Sequence, residues 1–281
     1  MRFDKGSWIR ITAVLALAML VFVACSDDEP DTPSNGGGPD ASFETVEEGK
    51  LLVGSCLDYK PFESVKDGDE VGFDVDLAEA IAEELGLTVE WVRADFDTIF
   101  SSVAAQKFDM VAAASTITPE RQETVDFSDP YYASRQALTV NTDETPDVAS
   151  TDDLGEGDTV GVQKGTTGAT YAKDNLESQG VEIKTFPAAP DAFTDLEAGN
   201  VVGVINDEPS SAEEIKARPG LEIVQAIDTG ENYGFAFSKE NPDLTLAVND
   251  ALQAVIDSGQ YEEIFAKYFP GVEVPEEFQA S

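Results

Sequence analysis

Short apolar segments alternate along the chain with longer segments in which apolar side chains recur every third or fourth position. Residues 51–55 and 87–93 have the short apolar pattern of strands, and residues 72–86 between them have the period of an amphipathic helix. The apolar stripe of this helix consists of Phe73, Leu77, Ile81 and Leu85. Gly86 predicts the end of the helix, because glycine commonly follows the last helical residue.

The alternation continues with a helix predicted within residues 96–108 and a buried strand predicted over residues 109–114. Thr118 has the position of an N-cap for the next helix, with Pro119 as its first residue. This order of strands and helices predicts a parallel sheet that is covered by helices.

A second unit of the same kind begins near Leu138. The strands and helices predicted from there onwards cover residues 159–162, 181–186, 189–200, 201–207, 233–238, 242–259 and 260–269. Two α/β units in one chain predict two lobes, and ligands of such sheets bind at the carboxyl ends of the strands.

Within the second unit, the glycine-rich segment 161–168, GVQKGTTG, lies between a predicted strand and a predicted helix over residues 170–179. Backbone N–H groups at such a helix N-terminus favour an anion. The segment matches neither G-x-x-x-x-G-K-[ST] nor G-x-G-x-x-G, which argues against a nucleotide. The pattern alone leaves the anion open.

Composition excludes several classes of function. The chain carries 17 Lys and Arg against 56 Asp and Glu, with a net charge of −39, so nucleic acid and anionic membrane surfaces should repel it. The absence of histidine excludes Ser-His-Asp and Cys-His mechanisms and histidine-dependent metal sites, and the two cysteines cannot form a zinc site. We therefore expect no metal and no cofactor.

The first residues have the order of a bacterial lipoprotein signal: a net basic start, an apolar run over residues 11–24, and then Cys25. Residues 1–24 are predicted to be a lipoprotein signal peptide, and Cys25 is predicted to carry the lipid. Residues 25–45 are acidic and rich in Pro, Gly and Ser, which predicts a flexible tether. Phe22 stands where such signals usually have Leu, so cleavage after Ser26 and an uncleaved anchor stay open as alternatives.

A family resemblance rests on motifs that occur together and in order. The helix GFDVDLAEAIAEEL closely resembles the signature of bacterial extracellular solute-binding proteins of the polar amino-acid class, which serve ABC importers. The other motifs are YKPFE, STITPERQETVDFSDPYY, VGVQKGTTG, VINDEP, YGFAFSKENPDL and GQYEEIFAKYF. The resemblance extends from about Leu51 to Phe269.

The resemblance implies a two-lobed type II periplasmic-binding-protein fold with two crossover hinge strands. Lobe one would comprise residues 46–131 and 234–281, and lobe two residues 136–230. It also implies a function without chemistry, in which a monomeric, extracytoplasmic, lipid-anchored protein captures a polar or neutral amino acid. Its partners would be the free amino acid and the permease subunits of an ABC transporter.

The same resemblance implies roles for individual residues. Arg121 would grip the α-carboxylate of the ligand with a bidentate guanidinium, and Thr116 would bind the same end through its hydroxyl. Ala114 would contribute its backbone. Asp207 would receive the α-ammonium, because a buried zwitterion needs partners for both charges.

The anion of the glycine-rich loop then becomes a carboxylate, with Thr166 and Thr167 as the contacting residues. Lys164 is expected to point to solvent, as is Glu63. Two aromatic residues are expected to cover the ligand, and these are Tyr59 and Phe96.

Cys56 departs from the family pattern, since several relatives have at this position an Asp that reaches the ligand side chain. A thiol cannot neutralise a cationic side chain, which argues against Lys or Arg as the ligand, although Asp58 could partly substitute. Two alternative functions remain: a sensor domain, and a cyclohexadienyl-dehydratase-like enzyme that would use an acid such as Asp58, Glu63 or Glu208.

Overall fold

The structure is a computed structural model that describes residues 43–280, all within one compact unit, Asp40–Ser281. The strands are, in chain order, β1 (Lys50–Ser55), β2 (Asp58–Tyr59), β3 (Glu63–Lys66), β4 (Asp69–Val71), β5 (Thr88–Arg93), β6 (Met110–Val111), β7 (Val125–Phe127), β8 (Tyr132–Asn141), β9 (Thr159–Gln163), β10 (Glu182–Phe186), β11 (Gly203–Asp207), β12 (Leu221–Tyr233) and β13 (Ala236–Ser238). The helices are α1 (Phe73–Glu84), α2 (Phe96–Ala104), α3 (Pro119–Gln122), α4 (Thr167–Leu176), α5 (Ala189–Glu197), α6 (Glu208–Lys216), α7 (Pro242–Asp257) and α8 (Gln260–Tyr268).

The first sheet has five strands in the order β5-β1-β6-β13-β7. Strand β1 runs parallel to β5 and β6, whereas β13 is antiparallel to β6 and β7. Alternate residues of β1 face opposite layers: Leu51 and Val53 pack in a core with α1, α7 and α8, and Leu52 packs in a core with α2. Helices on both faces explain why the middle of this strand, Leu51–Val53, is continuously apolar.

The second sheet also has five strands, in the order β10-β9-β11-β8-β12. Strand β9 is parallel to β10 and β11, and β8 is antiparallel to β11 and β12. The chain enters this sheet from β7 into β8 and returns to the first sheet from β12 into β13. We call the first sheet with α1–α3, α7, α8 and the small sheet β2-β3-β4 the first lobe, and the second sheet with α4–α6 the second lobe.

The two sheets with two connecting strands agree with the architecture that the family resemblance implies. The detailed lobe boundaries, 46–131 with 234–281 and 136–230, stay a prediction. The signal peptide 1–24, Cys25 and the tether up to residue 42 lie outside the described residues. Among residues 43–280, none of the helices is long and apolar enough to cross a membrane.

Some predicted elements differ from the observed ones. The buried strand predicted over residues 109–114 is reduced to β6, because the chain leaves the sheet before Ala114, whose backbone is left-handed (φ 45°). Helix α6 was not predicted, since its sequence EPSSAEEIK has no apolar stripe and buries Ser210 and Ser211 instead. The strands of the small sheet are too short for a periodic pattern.

Candidate functional site

The structure brings every residue that the sequence suggested for ligand binding into one pocket between the two lobes. The pocket has an empty volume of about 320 Å³. Its predicted lining residues are Cys56, Tyr59, Phe96, Ala114, Thr116, Arg121, Thr166, Thr167 and Asp207. Glu63, Ala113 and Gln163 complete the lining and were not among the residues predicted to bind an amino acid.

Arg121 is placed by the short helix α3. The hydroxyl of Thr118 caps this helix by accepting from the Arg121 backbone N–H at 3.1 Å. The guanidinium donates to the carbonyl of Thr116 at 2.7 Å and, across the cleft, to the carbonyl of Gly165 at 3.2 Å. Its carbon lies 4.6 Å from the centre of the Phe100 ring, a cation–π contact. Burial lowers the pKa of Arg121 to about 10, so the group stays cationic at neutral pH.

The loop before α4 is held in shape by Thr166. Its hydroxyl accepts from the backbone N–H of Ala169 at 3.1 Å and donates to the carbonyl of Gln163 at 2.8 Å. The Thr166 side chain is therefore engaged in the helix cap, and the first N–H groups of α4 are what the loop presents to an anion. Lys164 is exposed as expected, and its ammonium lies 2.8 Å from Asp97 of the first lobe.

Asp207 ends β11 and is 7% exposed. Its carboxylate accepts from the hydroxyl of Tyr233 at 2.5 Å and from the side-chain amide of Gln136. Burial and the neighbouring charge of Glu231 raise the pKa of Asp207 to about 6. A cationic ligand group beside it would favour its ionised form.

Ala114 has a strained left-handed backbone that is fixed by a buried acid. Its N–H donates to the Asp74 carboxylate at 2.8 Å, which also accepts from the hydroxyl of Tyr131 at 2.8 Å. Burial raises the pKa of Asp74 to about 6. Strained backbone that is over-determined by its surroundings is common at ligand sites.

Glu63 was expected to face solvent, and this expectation is wrong. The residue is 1% exposed and lines the pocket. Neither oxygen of its carboxyl group accepts a hydrogen bond from the described residues. Burial, followed by the charges of Asp74 and Asp58, raises the pKa of Glu63 well above its usual value.

The burial of Glu63 follows from the hairpin β2–β3, in which Glu63 lies directly opposite Tyr59. The hairpin is fixed to the N-terminus of α1, where the N–H groups of Phe73 and Asp74 donate to the carbonyls of residues 61 and 62, each at 2.9 Å. Gly72 permits this approach, because a Cβ there would lie 1.9 Å from the Phe62 carbonyl oxygen. Recognition of the hairpin in YKPFE would have placed Glu63 beside the aromatic residue.

Cys56 and Asp58 are the two residues that the family resemblance relates to the ligand side chain. The Cys56 thiol is buried, and burial followed by the charge of Glu63 raises its pKa well above the usual value. Asp58 does not line the pocket but pairs with Arg93 at 3.3 Å, so it does not take the place of the missing acid at position 56.

Comparison with known proteins identifies the family. The model of the bacterial extracellular solute-binding proteins, family 3, matches residues 51–271. The chain belongs to this family. The recognition from the motifs is therefore confirmed, and the protein is an extracytoplasmic solute-binding protein of the polar amino-acid class, a component of ABC importers.

Two curated relatives align with most of this chain. It is 34% identical to a probable histidine-binding protein of Neisseria gonorrhoeae, over 92% of this chain and 94% of the relative. It is 31% identical to the lysine/arginine/ornithine-binding periplasmic protein of Escherichia coli K12, over 78% and 87% of the two chains.

Solved structures confirm the type II periplasmic-binding-protein fold. An ancestral arginine-binding protein bound to arginine superposes with a TM-score of 0.75 at 39% identity, covering 79% of this chain and 98% of the other. An ancestral amino-acid-binding protein described as a precursor of cyclohexadienyl dehydratase superposes with a TM-score of 0.72 at 38% identity, over 79% and 95%.

Proposed function

We propose that this protein captures a free amino acid with a cationic side chain between its two lobes and delivers it to an ABC permease. The observation that carries the proposal is Glu63, an acid that is buried in the pocket and accepts no hydrogen bond from the described residues. Removal of such a group from water is costly unless a partner compensates for it. A guanidinium or ammonium on the ligand side chain would be that partner.

The charges of the pocket support a basic ligand. Arg121 would bind the α-carboxylate and Asp207 the α-ammonium, so the two ends of any amino acid balance these two residues. Glu63 then remains as an additional acid in the same pocket. One additional positive charge on the ligand would neutralise it.

The presence of Cys56 argued from the sequence against Lys or Arg as the ligand. Asp58 was the partial substitute considered for the missing acid, but it is Glu63 that contributes a carboxyl group to the pocket, from the neighbouring hairpin. The names of the two curated relatives, which refer to histidine and to lysine, arginine and ornithine, favour the same ligand class. A neutral polar ligand is the alternative, because a protonated Glu63 could donate to an amide.

The remaining assignments complete the proposal. Thr116, Ala114, Thr166 and Thr167 would contact the α-amino and α-carboxylate groups. The aromatic rings of Tyr59 and Phe96 would cover the ligand. The protein would act as a monomer, be anchored by a lipid on Cys25 and catalyse no reaction.

A comparison of L-arginine with L-citrulline tests the proposed ligand class, because the two differ mainly in the charge of the side chain. Calorimetry on the full-length protein, freed of copurified ligand, should give arginine an affinity about tenfold or more above that of citrulline. Glu63→Gln should remove most of this preference. Glu84→Gln, at an exposed position on α1, is the matched control and should retain it.

Other outcomes would contradict the proposed ligand class or the proposed transport function. Equal affinities of the two ligands, or a preference for citrulline or glutamine, would contradict the cationic ligand. If none of the twenty amino acids binds, the transport proposal fails, and turnover of a cyclohexadienyl substrate becomes the next assay.

A further inference from the structure

Glu231 is a buried acid next to the pocket, on the strand β12 that returns the chain to the first lobe. It is 7% exposed and does not line the ligand pocket itself. Its carboxylate accepts four hydrogen bonds, from Thr116 at 2.6 Å, Thr167 at 2.8 Å, Thr229 at 2.8 Å and Gln136 at 3.0 Å. Unlike Glu63, this acid is fully satisfied within the described residues.

The hydrogen bonds of Glu231 reach both lobes. Thr116 follows the strand β6 of the first sheet, and Thr167 is the first residue of α4 in the second lobe. One carboxylate oxygen, Oε2, accepts from both hydroxyl groups. Glu231 is itself fixed to the first-lobe segment, since Thr116 forms a β-bridge with Tyr233.

This arrangement determines the direction of two hydroxyl groups that line the pocket. An ionised carboxylate can only accept, and a hydroxyl group has a single proton to donate. Because the protons of Thr116 and Thr167 are directed to Glu231, their oxygens can only accept from other groups. Towards the pocket, these side chains therefore favour a donor such as an ammonium over a carboxylate.

Gln136 links this cluster to Asp207. Its side-chain amide donates to Asp207 Oδ1 and to Glu231 Oε1, and at the longer distance of 3.3 Å to the hydroxyl oxygen of Thr167. The two acids thus act on the same region of the pocket, Asp207 from its lining and Glu231 from behind the two threonines.

We propose that Glu231 is a positioning residue of the ligand site, which fixes the hydroxyl groups of Thr116 and Thr167 as acceptors for the α-ammonium of the ligand and joins them across the cleft. The inference rests on the proposed function, because it concerns recognition of an amino acid at the same site.

Glu231→Gln tests this role with almost no change in volume. The amide of the new side chain can donate to a threonine hydroxyl, which then directs its proton elsewhere, including to the pocket. Calorimetry on the full-length protein should show a loss of about tenfold or more in affinity for L-arginine. For 5-guanidinopentanoate, which lacks only the α-amino group, the loss should stay within about threefold.

Controls separate this role from a structural one. Glu222→Gln, at an exposed position on the same strand, should change neither affinity. A variant that merely loosens the fold would weaken both ligands equally, and that outcome would overturn the inference. In a double-mutant cycle, Thr116→Val and Glu231→Gln should be strongly non-additive for arginine, whereas additive losses would show that Glu231 does not act through Thr116.

The remaining outcomes are also informative. If Glu231→Gln does not fold, Thr116→Val alone should weaken arginine selectively, and equal losses for the two ligands would overturn the inference. A wild-type protein that binds arginine, together with unchanged affinities in Glu231→Gln, overturns this inference and leaves the proposed function intact. A wild-type protein that binds no amino acid overturns both.

Discussion

At the scale of single residues, the pocket is defined by acids whose ionisation depends on the ligand. Asp207 has its pKa raised to about 6, chiefly by burial and then by Glu231. Glu63 is shifted in the same direction, chiefly by burial. A cationic ligand requires the ionised forms, so binding should release the protons that these groups hold in the free protein.

We therefore predict that the affinity for arginine falls as the pH decreases through about 6, by up to about tenfold per pH unit for each proton released. The sign follows from the raised pKa of Asp207, which is protonated below this pH in the free protein and ionised in the complex. Asp207→Asn should bind arginine weakly. Its affinity should also depend less steeply on pH, because binding releases one proton fewer. Calorimetry in buffers of different ionisation enthalpy measures the number of protons directly.

Glu84→Gln should leave the pH dependence of the wild type unchanged, since its position is exposed. A wild-type affinity that is flat between about pH 5 and 7 would contradict the assignment of Asp207 to the α-ammonium.

At the scale of secondary-structure elements, the glycine-rich loop depends on the N-terminus of α4. Thr166 caps this helix, and Gly168 lets it approach the second sheet, where an added Cβ would lie 2.8 Å from the Gln136 side chain.

Thr166→Ala should lower the free energy of unfolding by about 1 kcal/mol, the usual value of a threonine cap. Thr166→Ser retains the cap and should lose little. Urea denaturation measures both, and equal losses in the two variants would show that the cap is not the source of the effect.

Elements with a strong internal pattern could be predicted from the sequence. Helix α1 has an apolar stripe and a terminal glycine, and its observed range, Phe73–Glu84, lies within the predicted residues 72–86. The hairpin β2–β3 has no such pattern, because its strands are short and Pro61 lies between them. Its position depends on hydrogen bonds to the N-terminus of α1, a contact between distant segments that periodicity does not encode.

The residues of the candidate site likewise fall into those that local motifs predict and those that depend on contacts between distant segments. Motifs located the residues that are proposed to bind the α-groups, but the ligand class was inferred from Cys56, with Asp58 as a partial substitute for the missing acid. Glu63 sits in a β-hairpin whose register, Tyr59 opposite Glu63, makes it a pocket residue. Local sequence gave no sign that an acid in ESVK is buried while Val65 is 46% exposed.

At the scale of the whole molecule, stability depends on acidic residues both on the surface and in the interior. The net charge of −39 favours unfolding through self-repulsion at neutral pH, and salt screens this term. The ion pairs among the described residues are mostly exposed and contribute little. The buried acids make a separate contribution to the free energy of unfolding, and salt screens this contribution much less.

We predict that the free energy of unfolding of the ligand-free protein increases as the pH is lowered from about 8 to about 5. Asp74 and Asp207 have their pKa raised to about 6 in the fold, so they hold protons there that the unfolded chain releases. Their contribution is fully present below the unfolded pKa of about 4 and is lost as the pH rises through about 6, with an upper value of about 3 kcal/mol for each group.

Urea denaturation across this pH range, at low salt and at about 1 M salt, separates the contribution of the buried acids from surface repulsion. Asp74→Asn keeps an acceptor for Ala114 and Tyr131 and should flatten the curve, whereas Glu84→Gln should not. If high salt removes the whole pH dependence, the buried acids are not its source, and the charge of the surface is.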